Sequence, residues 1–208
     1  MNRTIYIIIF SIFFIQCGES NGDKEVPIRN VPGKYVHLEK ENIYLFVPEN
    51  VKFFTHDDHL EYVNSIEDEE VRKMERERYL SLKYGTESSY MLRSDDDQLD
   101  ITFVPISYIP IDKSTSQQIL KFLNREHKAA GRILGLESKF SRAGLIKIGK
   151  DRIFRAIFLF KGVDLLTGEE KEAYTYYYLA NRKGRTFVLS FNSNEAKDFD
   201  SYVQKIRL

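Results

Sequence analysis

Residues 152–161, Arg-Ile-Phe-Arg-Ala-Ile-Phe-Leu-Phe-Lys, constrain the fold of this chain most. Side chains alternate across a strand. Phe154, Ala156, Phe158 and Phe160 therefore fall on one face, and Ile153, Ile157 and Leu159 on the other. A strand that is apolar on both faces belongs in a sheet covered on both sides. Two amphipathic segments are the natural covers. Residues 115–134 carry Ile119, Leu123, Ala130 and Leu134 at helical spacing, flanked by Leu120 and Ile133. Ser114 and Gln117 have capping-box spacing, and Gly135 is the expected stop. Residues 194–206 place Phe199, Tyr202, Val203 and Ile206 on one helical face. The expectation is an α+β fold, an antiparallel sheet with helices on both faces.

Turn chemistry orders the rest. Residues 34–47 predict two short strands around Lys40 and Glu41, ended by Pro48. Residues 56–84 predict a helical run, with Ser65 and Asp68 in a capping-box pattern. Strands follow at 88–92 and 99–104, around a turn at 94–97, and Pro105 and Pro110 break regular structure. The last third is a meander. Turns at Gly149-Lys150, Thr167-Gly168 and 181–184 join strands at 145–148, 152–161, 172–180 and 185–192, and such short turns demand antiparallel neighbours.

The amino terminus reads differently. Arg3 precedes an apolar run from 5 to 15 that is broken only by Ser11. A spanning helix needs about twenty apolar residues, so the run suits a signal peptide over 1–16. Cys17 ends it, followed by Gly18. It is the only cysteine, which forbids an intrachain disulfide. The segment resembles the lipobox of bacterial lipoproteins, although Phe14 and Gln16 stand where that family prefers Leu and Gly or Ala. The resemblance implies diacylation of Cys17 and cleavage before it, and two acyl chains hold a protein stably on a membrane. The other reading is an uncleaved signal anchor. Residues 17–33 then form a turn-rich, lipid-anchored linker, and 34–208 a single α+β domain. Glu19, Asp23 and Glu25 resemble an acidic signal for transport to the outer membrane of a bacterial envelope, or are simply a solvated linker.

The order of elements resembles the PsbP-like family, which includes the Mog Ran-binding proteins. A short strand pair ends in Pro48, a hairpin enters the helix over 99–134, and the chain closes through 185–193 and 199–208. The charged stretch 56–84 and the absence of Trp depart from the pattern. The resemblance implies a binding or assembly subunit. No family site residue maps onto this chain.

Four local clusters carry possible chemistry. His56 and His59, with Asp57 between them, are spaced to hold a transition metal on a helix; the plainer reading is a helix amino terminus with acidic residues on its dipole. Asp95, Asp96 and Asp97 offer carboxylates but lack the pattern of a calcium loop, so a solvated turn is expected. Val71 and Met74, with Leu82, form a narrow apolar edge on a helix whose mixed charges pair at i, i+4, either a partner-docking edge or a solvated surface. Tyr174, Tyr176 and Tyr178 share a strand face, either a partner-binding patch or a sheet face under a cover.

Thirty-one Lys and Arg balance 31 Asp and Glu, so no charge excess argues for nucleic acid. The sequence holds no nucleophile elbow, HExxH, Walker loop or dinucleotide fingerprint, and no cofactor is expected. The expected function is a membrane-anchored, non-enzymatic binding or assembly module for an envelope protein partner. The alternatives are a small-molecule or metal-binding lipoprotein, and a hydrolase with a spatially assembled site.

Overall fold

A computed structural model describes residues 24–25, 27, 29–85, 88–96, 98–148, 151–163, 170–182 and 184–207. Residues 1–16, expected as a signal peptide, lie outside the described residues, as do Cys17, Asp97, the turns expected at Gly149-Lys150 and Thr167-Gly168, and the side chain of Leu82. The chain runs through β1 (Lys24–Glu25), β2 (Lys34–Leu38), β3 (Ile43–Val47), β4 (Val51–Phe53), α1 (His56–Ser65), α2 (Glu69–Gly85), β5 (Tyr90–Ser94) and β6 (Leu99–Ser107). It continues with α3 (Lys113–Leu134), β7 (Glu137–Ile148), β8 (Asp151–Val163), β9 (Glu170–Arg182), β10 (Arg185–Ser193) and α4 (Asp200–Val203).

The main sheet has the order β1-β7-β8-β9-β10-β6-β5-β4, and β2 and β3 form a separate hairpin. From β7 to β4 every pairing is antiparallel. β1 alone is parallel, with Lys24 opposite Ile146 at the outer edge of β7. The strand at 152–161 behaves as its two apolar faces demand. Phe154, Ala156 and Phe158 pack with Leu123, Ile119 and Leu120 of α3. Ile153 and Ile157 join a larger core on the opposite face with Leu38, Leu45, Val47, Phe199 and Val203. Each Leu, Ile or Phe so buried contributes about 1.5–3 kcal/mol against the entropy of ordering the chain.

The two covers differ in kind. On the first face lies α3, with α1 beside it. Arg93 of β5 points to this face, 4.2 Å from the Phe54 ring and 4.3 Å from the Tyr62 ring of α1, and it pairs with Asp100 at 2.5 Å. On the second face the cover is the β2–β3 hairpin together with the C-terminal segment, which is tied to β3 by paired backbone bonds between Tyr44 and Arg207. The expectation of a helix over 194–206 is corrected: only the four residues of α4 are helical. Local bonds win there. The Ser193 hydroxyl accepts from the Glu195 N–H at 3.2 Å, and the Asp198 carboxylate accepts from the Asp200 N–H at 3.1 Å. Such side-chain-to-backbone bonds offer the chain an alternative to the helix.

Helix boundaries also moved. The run at 56–84 breaks between Ser65 and Glu69. Its amino-terminal capping box is Thr55 with Asp58, and the N–H of each donates to the other's side-chain oxygen, at 2.8 and 3.2 Å. Ser65 instead closes α1 by donating to the Tyr62 carbonyl at 2.7 Å, and Asp68 opens α2 by accepting from the Val71 N–H at 2.9 Å. α3 starts at Lys113 because Asp112, rather than Ser114, caps it through the Thr115 N–H at 2.8 Å. Gly135 ends α3 as expected, with φ 65°. Pro105 does not interrupt β6. β5 pairs only as far as Phe103, so Pro105 sits where β6 has lost one neighbour and a missing N–H costs little.

The segment expected as linker is partly laid on the domain. Besides the pairing of β1, Tyr202 donates to the Pro32 carbonyl at 3.2 Å and Lys205 to the Val31 carbonyl at 3.1 Å. Among the described residues no helix is long and apolar enough to cross a membrane.

Candidate functional site: an arginine-lined cavity

The clusters singled out in the sequence go to separate places. His56 lies with Nε2 3.3 Å from the Tyr79 hydroxyl and 3.1 Å from Lys83 Nζ, and its ring stacks on Tyr79. His59 stacks on the same tyrosine at 4.5 Å. It is buried, and its Nε2 has no partner. Burial and the nearby Arg78 push its pKa down to about 4. Both histidines thus pack α1 against α2, while Asp57 is exposed. Among the described residues no group of three His, Cys, Asp or Glu side chains is placed to hold a metal.

Asp96 accepts from the Ser94 hydroxyl and the Gln98 N–H, and Asp95 pairs with Lys52 at 2.9 Å, so these two carboxylates organise a hairpin turn. Val71 and Met74 are half-buried on α2. Tyr174 is half-buried and donates to Glu172 at 2.6 Å. Tyr176 and Tyr178 are buried under the C-terminal segment.

Those two buried tyrosines form the floor of a cavity of about 450 Å³ between β7, β8, β9 and residues 196–200, with Pro27 and Arg29 at its rim. Two cross-strand rows build it. Arg142, Ile157 and Tyr176 lie opposite one another, and in the next row Arg155 lies opposite Tyr178. Arg142 reaches this face because the β7–β8 register shifts between Phe140 and Arg142. Phe140 lies opposite Phe158, on the α3 side. Two residues on, an unbulged strand would present Arg142 to that same side. The extra residue, Ser141, turns it over, the usual effect of a β-bulge.

The walls are fixed by hydrogen bonds. Arg155 Nη1 donates to Asp200 Oδ2, and the Tyr178 hydroxyl donates to Asp200 Oδ1 at 2.8 Å. Burial, and then the Asp200 charge, hold the Tyr178 phenol protonated far above its ordinary range. Asp198 accepts from the Asp200 N–H, from the Ser201 hydroxyl at 3.2 Å and from Arg29 at 3.4 Å. The Tyr176 hydroxyl accepts from the Lys197 N–H at 3.0 Å. Burial raises the Tyr176 pKa, and the Arg142 charge opposes that rise. Four cations, Arg29, Arg142, Arg155 and Lys197, face two anions, Asp198 and Asp200. The described lining holds no histidine, cysteine or serine. Donors and charge dominate the lining.

The cavity escaped sequence reasoning, although one signal was present. Arg155 interrupts the face of β8 that carries Ile153 and Ile157. An arginine on a covered sheet face calls for a buried carboxylate elsewhere.

Seven antiparallel strands, a helical cover and a hairpin cover define an α+β sandwich with a cationic cavity on one face. No family model matches the chain, and no curated protein matches it in sequence. Solved structures do match. The chain is similar to cyanobacterial PsbP (CyanoP) from Synechocystis sp. PCC 6803, at 9% identity over 86% of this chain and 94% of that one, with a TM-score of 0.49. It is similar to the Saccharomyces cerevisiae Ran-binding protein Mog1p, at 10% identity over 86% and 96%, with a TM-score of 0.48. A Bacteroides thetaiotaomicron VPI-5482 protein matches at 12% identity over 85% of this chain and 48% of that one, with a TM-score of 0.46, so the chain spans about half its length. The first two are the counterparts that the PsbP-like resemblance in the sequence implies. At such identities they assign no residue role and no partner.

Proposed function

We propose that the protein is an exported bacterial lipoprotein, held at a membrane by acyl chains on Cys17, whose domain is a non-enzymatic binding module for an envelope protein partner. The observation that carries the binding half is the cavity. Its walls are strands and a hydrogen-bonded Arg155–Asp200–Tyr178 unit rather than free loops, so little ordering is left for a partner to impose. The donors and charges that dominate the lining support recognition of a polar group. The packing of His56 and His59 on Tyr79 favours neither a metal role nor a catalytic one.

The anchor half rests on the amino-terminal sequence. Seven residue steps separate Cys17 from Lys24, a reach of at most about 25 Å. With β1 paired to β7, and Pro27 and Arg29 at the cavity rim, an acylated Cys17 keeps the cavity near the membrane surface. Glu19, Asp23 and Glu25 support transport to the outer membrane. Small-molecule binding is a second reading, favoured by the same cavity.

Two measurements test the proposal. Intact-mass analysis of the mature protein is expected to show a diacylated amino-terminal cysteine, and Cys17→Ser is expected to release the protein from membranes. Ala196→Trp, which fills the cavity mouth from an exposed position, is expected to abolish co-purification of the membrane-crosslinked partner. A free Cys17 thiol would overturn the anchor. Undiminished partner recovery with Ala196→Trp would overturn the cavity as the binding surface.

A further inference from the structure

The hydrogen-bonding inventory of the cavity is unbalanced. Both oxygens of Asp200 are engaged, one by Arg155 and one by Tyr178. Both oxygens of Asp198 are engaged as well, one by the Asp200 N–H and the other by Ser201 and Arg29. The Tyr176 oxygen already accepts from the Lys197 N–H. Every oxygen of these three side chains already accepts a bond, but the donors are not all used. Arg142 is exposed and forms no ion pair with a described residue. Arg155 Nε is fully buried without a partner. The Tyr176 hydroxyl accepts a bond and gives none. A buried donor without an acceptor costs about 1–3 kcal/mol and calls for an explanation. The charges lean the same way, since Lys197 is paired with Glu195, Arg29 with Asp198 and Arg155 with Asp200, while Arg142 is left over.

A site with unused donors, whose side-chain acceptors are already engaged, suits a ligand that accepts. We propose that the cavity binds an oxyanion, the carboxylate or phosphate group of its ligand, with Arg142 as the principal donor and the Tyr176 hydroxyl as the second. The planar guanidinium of Arg142 matches two oxygens of either group. The bulge at Ser141 supports this role, because without it Arg142 would face α3. The Arg155–Asp200 pair is the frame of the site: it holds the C-terminal segment over Tyr176 and Tyr178 and adds little net charge. The inference rests on the reading of the cavity as the binding site, and it names the chemical group recognised there.

The test is titration of the full chain, held in phosphatidylcholine nanodiscs free of detergent, at low ionic strength, where screening is weak. The probes are inorganic phosphate, succinate and vesicles containing phosphatidylglycerol. Saturable binding of at least one probe is expected. Arg142→Gln is expected to weaken it about tenfold or more and Arg142→Lys to restore part of it, because a charge-assisted bond is worth about 1.5–3 kcal/mol. Tyr176→Phe is expected to weaken it a few-fold, with the melting temperature checked so that a folding defect is not mistaken for lost binding. Lys139→Gln, on a residue paired with Glu137 outside the cavity, is expected to leave it unchanged. Preference for succinate marks a carboxylate source, preference for phosphate a soluble phosphate group, and vesicle binding alone a lipid headgroup; each supports an oxyanion site. No saturable binding of any probe, or binding that Arg142→Gln leaves intact, overturns it. If the probes fail while Ala196→Trp still removes the partner, the oxyanion proposal falls and the binding module stands.

Discussion

Arg155 of β8 and Asp200 at the head of α4, forty-five residues apart in sequence, form an ion pair whose side chains are only 13% and 10% exposed. The pair joins the middle of the sheet to the C-terminal segment, and Tyr178 completes it from below. Removing one partner strands the other charge in a poorly solvated place. Asp200→Ala is therefore expected to lose about 3–5 kcal/mol of unfolding free energy. The double variant Arg155→Met/Asp200→Leu is expected to recover most of that loss. Urea unfolding of Arg155→Met, Asp200→Leu and the double variant, beside Asp200→Ala, checks this, and simple additivity of the Arg155→Met and Asp200→Leu losses would show that the two residues do not act together.

Acid sensitivity has a specific source. His59 and His127 both titrate near pH 4, because burial penalises their charged forms and Arg78 adds to the effect at His59. In the unfolded chain the value is about 6.5. Above that pH both states are neutral and the two residues contribute nothing to pH dependence. Between about 6.5 and 4 the unfolded chain binds protons that the folded chain refuses, so stability falls as pH falls, by up to about 1.4 kcal/mol per pH unit for each histidine. His127 stacks on Phe158 at 4.1 Å, and its Nε2 lies 3.2 Å from the Tyr177 hydroxyl. His127→Leu is expected to reduce the slope of melting temperature against pH in this window by about half. An unchanged slope would remove His127 from the account.

Glycine substitutions are expected to split by position. A Cβ on Gly131 would lie 2.8 Å from the Leu136 carbonyl oxygen and 3.2 Å from Ser138 Cβ. The end of α3 passes that close to the start of β7. Helix propensity alone favours Gly131→Ala by about 1 kcal/mol, but crowding of backbone is expected to reverse the sign, for a net loss of about 1–2 kcal/mol. At Gly144 an added Cβ meets open space, and Gly144→Ala is expected to be neutral or stabilising by up to about 1 kcal/mol. Thermal melts of the two variants side by side decide it.

The start of α1 depends on a reciprocal cap, Thr55 with Asp58. Thr55→Ala is expected to cost about 1 kcal/mol. Because α1 carries the rings that pack on Tyr79, the loss is expected as faster amide exchange in α1 and α2 with β7–β9 unchanged. Equal acceleration throughout would contradict this local reading.

What the sequence made legible was the periodic part of the molecule. The two faces of β8, the stripe of α3, the stop at Gly135 and the antiparallel meander are local patterns with one physical solution each. The cavity depends on relations that no local pattern carries. Arg155 stands between Phe154 and Ala156 in sequence, and its meaning comes from Asp200, beyond two further strands. Arg142 changes face through one unpaired residue, Ser141, and neighbouring residues give no sign of it. The segment 194–206 has helical apolar spacing, and Phe199 and Val203 do share the buried face, yet Ser193 and Asp198 divert the backbone. Composition marked residues 17–33 as linker, whereas pairing at the β7 edge and bonds to Tyr202 and Lys205 hold part of that segment to the domain.

The most direct test of a tethered binding module places a photoreactive amino acid at Ala196, on the cavity lip, in the full-length chain within intact envelopes. The predicted result is one discrete protein adduct that disappears with Arg142→Glu, and with Cys17→Ser when the anchor is lost. An adduct that persists in the Arg142→Glu chain, or no adduct at Ala196 in an acylated protein that melts normally, would contradict the account.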